Sequence, residues 1–335
     1  MRFTCRPASI FLIAPIVLAA ATLTASSPDT ARGFPVSVDN CGMSTKYEDA
    51  PRRAFTMNQA ATEIMLALGL RDRMVGTAFL DDAILPEFDD AYQSIPVRTA
   101  AYPSRDILFG TRPDFVYATY PSGFSDQAPG MNDLLRSGTR SYLSPSGCMA
   151  QAGPTRGSME MVFGEIRDIG RIFGVLPRAE QLIATYRANL ADVRSQLGAV
   201  NAPLRVFWWD SAMPPSAAGC CGTPNEILRL AGGENVFHDV RGSWGTVSWD
   251  DVVARNPDVI VLVDATWAPA AEKREWLLTN SALADMEAVK SRRFITINFS
   301  DATPGIRNVA AVRKVAETLY PERFTSGATP HPTSR

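Results

Sequence analysis

Two stretches of this chain read alike, Ser104-Arg-Asp-Ile-Leu-Phe-Gly-Thr-Arg-Pro-Asp-Phe-Val116 and Ser248-Trp-Asp-Asp-Val-Val-Ala-Arg-Asn-Pro-Asp-Val-Ile260. Ser104 and Ser248, Asp106 and Asp250, Pro113 and Pro257, and Asp114 and Asp258 fall at one common offset. Each stretch predicts a short helix, a Pro-Asp break, and a buried strand. Upstream, Thr62-Glu-Ile-Met65 is echoed by Asn225-Glu-Ile-Leu228. Two matched blocks in the same order predict two related lobes.

Working outward, strands and helices alternate. Strands are expected at Arg53–Thr56, Met74–Gly76, Phe115–Ala118 and Ser141–Leu143, then at Arg205–Trp209, Val259–Val263 and Arg293–Ile297. Helices are expected at Asn58–Leu68, with Asn58 as N-cap, and at Met131–Ser137, Asn225–Leu230 and Ile306–Leu319. Between the halves, Met159, Val162, Phe163, Ile166, Ile169 and Phe173 recur at helical spacing, and Pro177 fits the first turn of a second long helix. The alternation predicts an α/β protein: two α/β lobes with mainly parallel sheets, joined by a long rigid helix, with a ligand cleft between the lobes. The expected divisions are a signal segment at 1–25, an arm at 26–50, a first lobe at 51–155, connecting helices at 156–200, a second lobe at 201–325 and a disordered tail at 326–335.

Met1–Ala25 carries Arg2 and Arg6, an apolar run over 8–21, and small residues before Ser26. That is the pattern of a cleavable secretory signal; the run falls short of the roughly 20 residues a spanning helix needs. Cys5 precedes the apolar run, which argues against a lipid-modified Cys. Removing Arg2 and Arg6 from 33 basic residues leaves 31 against 35 acidic ones. This balance excludes a general nucleic-acid footprint. Export leaves Cys41, Cys148, Cys220 and Cys221 in an oxidising compartment. Four Cys allow three pairings, a bridge between the adjacent Cys220 and Cys221 among them.

Reaction machinery is missing at the level of motif. The chain has no G-x-S-x-G elbow and no G-x-x-x-x-G-K phosphate loop. Its two His, His238 and His331, cannot supply a three-His metal site. The paired acids Asp81–Asp82, Asp89–Asp90 and Asp250–Asp251 read as solvated faces and helix starts. No cofactor and no protein metal ligands are expected. An exported α/β enzyme acting on a small molecule is the rival from another class. Residues just after the expected strands are aromatic and polar instead: Tyr120, Trp208-Trp209-Asp210, Trp267 and Phe299-Ser300-Asp301, with Trp244 in the Gly-flanked loop Gly242–Gly245. Ligands in such sheets sit beyond the strands' carboxyl ends, and aromatic rings with a few polar groups suit that task. Strand alternation is expected to bury one of Trp208 and Trp209 and expose the other.

The run Ala60-Ala-Thr-Glu-Ile-Met-Leu-Ala-Leu-Gly-Leu-Arg-Asp-Arg-Met-Val-Gly76 resembles the start of the ABC-importer solute-binding proteins for iron–siderophore complexes, cobalamin and haem. Arg112-Pro-Asp-Phe-Val-Tyr117, Ala231-Gly-Gly-Glu-Asn-Val-Phe237, Trp244-Gly-Thr-Val-Ser-Trp-Asp-Asp-Val252 and Arg255-Asn-Pro-Asp-Val-Ile260 are similar too. The resemblance implies a periplasmic receptor, a monomer that captures a ferric siderophore or similar metal chelate and delivers it to a membrane permease. Haem, with Tyr120 as a candidate axial ligand, and cobalamin are the alternatives. By position it implies Met57, Asn58, Phe79, Tyr120, Trp209, Trp244, Asp301 and Arg307 as ligand-facing, and Asp106 and Asp250, where Glu is usual, as the acids that dock on permease arginines. Members with an Asn-Cys-Gly arm resemble Asn40-Cys41-Gly42 and carry a Cys near position 148. That implies a Cys41–Cys148 bridge pinning the arm to the first lobe, whereas the adjacent Cys220–Cys221 departs from the pattern at the rim of the second-lobe pocket.

Overall fold

The computed structural model describes residues 1, 33–125, 128–152 and 157–324, with the side chains of 149–152 left aside. The expected signal segment, apart from Met1, and the expected tail lie outside the described residues. The arm is not simply extended. β1 (Val36–Asn40) and β2 (Met43–Tyr47) form an antiparallel hairpin. Cys41 at its tip is disulfide-bonded to Cys148, with Cα atoms 5.1 Å apart. Beside it the Asn40 side chain donates to the Leu143 carbonyl at 2.7 Å and accepts from the Leu143 amide at 3.0 Å. The hairpin, a sheet of its own, is thereby tied to the end of the first lobe that carries Leu143 and Cys148.

That lobe is a five-stranded sheet of β3 (Ala54–Met57), β4 (Met74–Ala78), β5 (Val97–Thr99), β6 (Phe115–Ala118) and β7 (Arg140–Leu143), in the order β5-β4-β3-β6-β7 and parallel throughout. The second lobe holds β8 (Leu204–Ser211), β9 (Ser216–Ala218), β10 (Gly233–Asn235), β11 (Trp244–Thr246), β12 (Val259–Asp264) and β13 (Phe294–Asn298). Its parallel part runs β10-β8-β12-β13, and β9 and β11 add an antiparallel extension along the far half of β8. The order β4-β3-β6-β7 is thus repeated as β10-β8-β12-β13, and the sequence duplication is a duplication of topology.

The repeated residues do the same work in both lobes. Ser104 caps the helix Arg105–Gly110 by accepting from Ile107 N at 3.3 Å, and Ser248 caps the helix Trp249–Arg255 by accepting from Asp251 N at 3.0 Å. After each Pro, the Asp carboxylate ties two neighbouring strands together at their starts. Asp114 accepts from the backbone N–H groups of Arg52 and Arg53 at 2.8 Å, and Asp258 from Arg205 N–H at 2.7 Å.

Both sheets are covered on both faces. Along β6, Phe115 and Tyr117 face one core, and Val116 and Ala118 another; along β12, Val259, Val261 and Val263 face that same first core while Ile260 and Leu262 face a third. The first core also takes Phe163, Ile166 and Ile183 from the connecting helices Met159–Ile172 and Leu176–Leu197. One apolar core therefore runs from lobe to lobe through the connecting helices. Because both faces are packed, Trp208 and Trp209 are both buried, at 0% and 1% exposure, in place of the expected one in and one out.

Candidate functional site

The lobes meet at the carboxyl ends of their strands. Between them lies a cavity of about 830 Å³. Tyr120 follows β6, Ser146 follows β7, Asp210 ends β8 and Phe299 follows β13, and all line the cavity; Met161 enters from the connecting helix and Trp244 from β11. The volume lies inside the range of sites that enclose a small molecule.

Of the residues implied as ligand-facing, Tyr120 and Trp244 line this cavity. Trp244 is 39% exposed, in keeping with its glycine-flanked loop. The Tyr120 hydroxyl is paired with Thr303 Oγ1 of the other lobe at 2.9 Å, and burial pushes its pKa well above the ordinary tyrosine value. The others stand back. Met57 is fully buried in the first lobe. Asn58 is buried; its side chain makes no capping bond and donates instead to the Tyr102 hydroxyl at 2.8 Å, while Thr119 Oγ1 accepts from Ala61 N in the first turn of the helix Gln59–Ala67. Phe79 stacks on Tyr102 with ring centroids 4.9 Å apart.

Trp209 is packed away from the cleft, edge-on to Trp249 at 4.9 Å and Trp276 at 5.8 Å, on the outer face of the second sheet. Arg307 is likewise not on the cavity wall. Its side chain, 6% exposed, pairs with Glu63 of the first lobe (Nε to Oε2, 2.8 Å) and donates to the Ala83 carbonyl at 2.8 Å. Asp301 sits half-buried 3.6 Å from the same guanidinium, not on the cavity wall. The acids expected to be solvated at 81 and 82 belong to the same seam. Asp82 accepts from Ser300 N at 2.7 Å across the lobes. Asp81 is 6% exposed, and burial with the Asp82 charge beside it raises its pKa to about 7.

Other polar groups face the cavity. Asp210 has one buried carboxylate oxygen without a partner among the described residues, and burial raises its pKa, with the Ser211 hydroxyl and Lys273 opposing the rise. Arg241 is exposed on the wall and makes no hydrogen bond or ion pair among the described residues. Met161 and Arg241 were not marked out by the sequence: one sits beside the apolar stripe of its helix without belonging to it, the other in a loop placed only by long-range pairing. Cys221 and Gly222 form part of the wall, and Cys220 and Cys221 are joined as a vicinal disulfide. Among the described residues no three His, Cys, Asp or Glu side chains gather where they could hold a bare metal ion. Asp106 and Asp250 are both exposed, each in the first turn of its repeated helix, and neither is hydrogen-bonded or ion-paired among the described residues.

Two duplicated α/β lobes on a helical spine, enclosing a small-molecule cavity and carrying no recognisable reaction motif, define a two-lobed solute-binding protein. A family model described as periplasmic binding protein matches residues 56–300, and the chain belongs to that family. It is similar to a periplasmic binding protein from Veillonella parvula at 32% identity, with a TM-score of 0.77, over 85% of this chain and 97% of that one. A structure described as an ABC-type Fe3+-hydroxamate transport system from Saccharomonospora viridis matches at 24% identity, with a TM-score of 0.72, over 85% of this chain and 99% of that one. The substrate-binding lipoprotein YvrC of an ABC transporter of Bacillus subtilis is 24% identical over 87% of each chain. The class is that of ABC-transporter substrate-binding proteins, which bind small molecules and work with a permease; it is a transport family, not an enzyme family.

Proposed function

We propose that this chain is exported by its N-terminal signal and acts as the monomeric receptor of an ABC importer, capturing a ferric siderophore or similar iron chelate. The observation that carries the reading is the interlobe cavity itself: about 830 Å³, walled by Tyr120, Met161, Trp244 and Phe299, with one free carboxylate oxygen on Asp210 and the unpaired Arg241 as polar groups among the described residues. Aromatic walls with a few orienting charges suit an organic chelate whose metal arrives with its own donors. Haem bound through Tyr120 is less well supported, because that hydroxyl is buried and committed to Thr303. Asp106 and Asp250 occupy equivalent places on the two repeated lobes, as a surface meeting a two-fold permease would need.

Tryptophan fluorescence of the mature chain, with Trp244 on the cavity wall as reporter, tests the ligand class. Titration with ferric hydroxamate, catecholate and carboxylate chelates, haem and cobalamin should give saturable quenching by a ferric chelate and no turnover. Saturation by haem or cobalamin alone, or silence toward all of them, overturns the ferric-chelate reading.

A further inference from the structure

The segment Gly219-Cys220-Cys221-Gly222 is built into the cavity wall with unusual tightness. Its backbone is stitched to the loop before β11: Gly219 N to Ser243 O at 3.0 Å, Cys220 N to Val240 O at 2.8 Å and Cys221 N to Gly242 O at 3.2 Å. On the other side Gly157 N donates to Cys221 O at 2.7 Å and Asn225 Nδ2 to Cys220 O at 2.8 Å. A Cβ on Gly219 would lie 2.5 Å from Gly242 O, so this approach of two backbones requires glycine. The half-buried disulfide is thus held in place from both sides, and Cys221 reaches the cavity beside Trp244.

A disulfide between adjacent residues closes an eight-membered ring and can staple no two distant parts of the fold, so chain crosslinking does not account for it. What it adds to the wall is a soft, polarizable, apolar sulfur surface with no hydrogen-bond donor, a surface that favours contact with aromatic rings. Trp244 supplies a ring at the same wall, and Arg241, the residue after the Val240 that anchors Cys220 and without a hydrogen bond or ion pair among the described residues, supplies a positive charge.

We propose that the Cys220–Cys221 disulfide, with Trp244 and Arg241, forms a subsite for a planar aromatic group bearing negative charge, so that the natural ligand is an aryl chelate and not a purely aliphatic one. This rests on the cavity being the ligand site. The test uses 8-anilinonaphthalene-1-sulfonate, an aromatic anion whose naphthalene ring system is planar, so that it does not depend on which natural ligand is bound. Fluorescence titration compares the wild type with Cys220→Ser/Cys221→Ser and with Trp244→Ala, whose exposed ring can be lost without unfolding the chain. Each change should weaken the dye about fivefold to tenfold. A ferric tris-catecholate, added to the dye-loaded wild type, should displace it.

Absence of dye binding to the wild type, or dissociation constants within about twofold across folded variants, overturns the subsite. Dye binding that depends on the disulfide, but that no ferric chelate displaces, sustains the subsite and overturns the ferric-chelate reading instead.

Discussion

Arg307 decides between two accounts of the seam between the lobes. Resemblance makes it a ligand contact; the structure makes it one half of a buried ion pair, with Arg307 6% and Glu63 1% exposed at the side chain. Replacing Arg307 by Met leaves the Glu63 carboxylate buried with only Gln59 Nε2 at 3.1 Å and the Leu85 amide at 3.4 Å. Stranding a buried charge in this way costs about 3–5 kcal/mol. At roughly 2.1 cal/mol/K of unfolding entropy per residue, a chain of this size should lose about 4–7 °C of Tm. The double variant Arg307→Met/Glu63→Leu removes both charges. The Ala83 carbonyl keeps its bond from Gln59 Nε2 only if that side chain holds its place, and the pair is replaced by apolar volume, so most of the loss should be recovered. Calorimetry and chelate titration on the four proteins of the cycle check this. Affinity in the double variant should stay within about twofold of wild type. An Arg307→Met protein that melts normally but binds the chelate about tenfold more weakly would refute the reasoning and return Arg307 to the ligand.

Buried acids make stability depend on pH. Asp81 and Glu165 both have pKa values raised to about 7, chiefly by burial; Tyr117 and Ser144 hydroxyls donating to Glu165 oppose the rise. The folded state holds these protons more tightly than the unfolded chain, so stability is greatest below about pH 4 for these groups and falls as pH rises toward 7. Asp81→Asn and Glu165→Gln should match wild type near pH 4 and exceed it near pH 8 by on the order of 3 kcal/mol each, read by urea titration at both pH values. Trp209→Ala should cost about 3–5 kcal/mol of stability through the cavity it leaves, with chelate affinity unchanged once the protein is folded. Cys41→Ser/Cys148→Ser opens a bridge spanning 107 residues and should lower stability by about 2–4 kcal/mol, measured in urea without reductant. Asp106→Ala/Asp250→Ala should abolish chelate uptake in reconstituted vesicles and leave chelate affinity intact; unchanged uptake removes these acids from docking.

The two-lobe plan was legible because its signals are local. A capping Ser, a Pro-Asp break and a run of alternating buried residues recur within thirteen positions, and each has its own physical cause. Strands β10 and β11 have three residues each and pair only with partners distant in sequence, so no local pattern announces them. Placement on the cavity wall was legible where aromatic chemistry coincides with a connecting segment, as at Tyr120 and Trp244. It was not legible where a long-range partner claims the side chain. Glu63, which takes Arg307, lies 244 residues away, and the Trp249 and Trp276 rings that cover Trp209 come from helices beyond its own strand.

The same partners bear on how the protein can respond to a ligand. The first core joins Phe115, Phe163, Trp208 and Val261 without a break between lobes, and the Glu63–Arg307, Asp82–Ser300 and Tyr120–Thr303 contacts bridge the cleft beside it. Opening the lobes widely would expose that core and strand a buried ion pair, each at a cost of several kcal/mol. Ligand binding must then be accommodated by the parts of the wall outside this seam. Those are the exposed side chains of Arg241 and Trp244 on the second lobe, set beside the firmly held Cys221 segment. The cavity is therefore largely preformed, and selectivity among small-molecule ligands should rest on that one wall more than on a change in the angle between lobes.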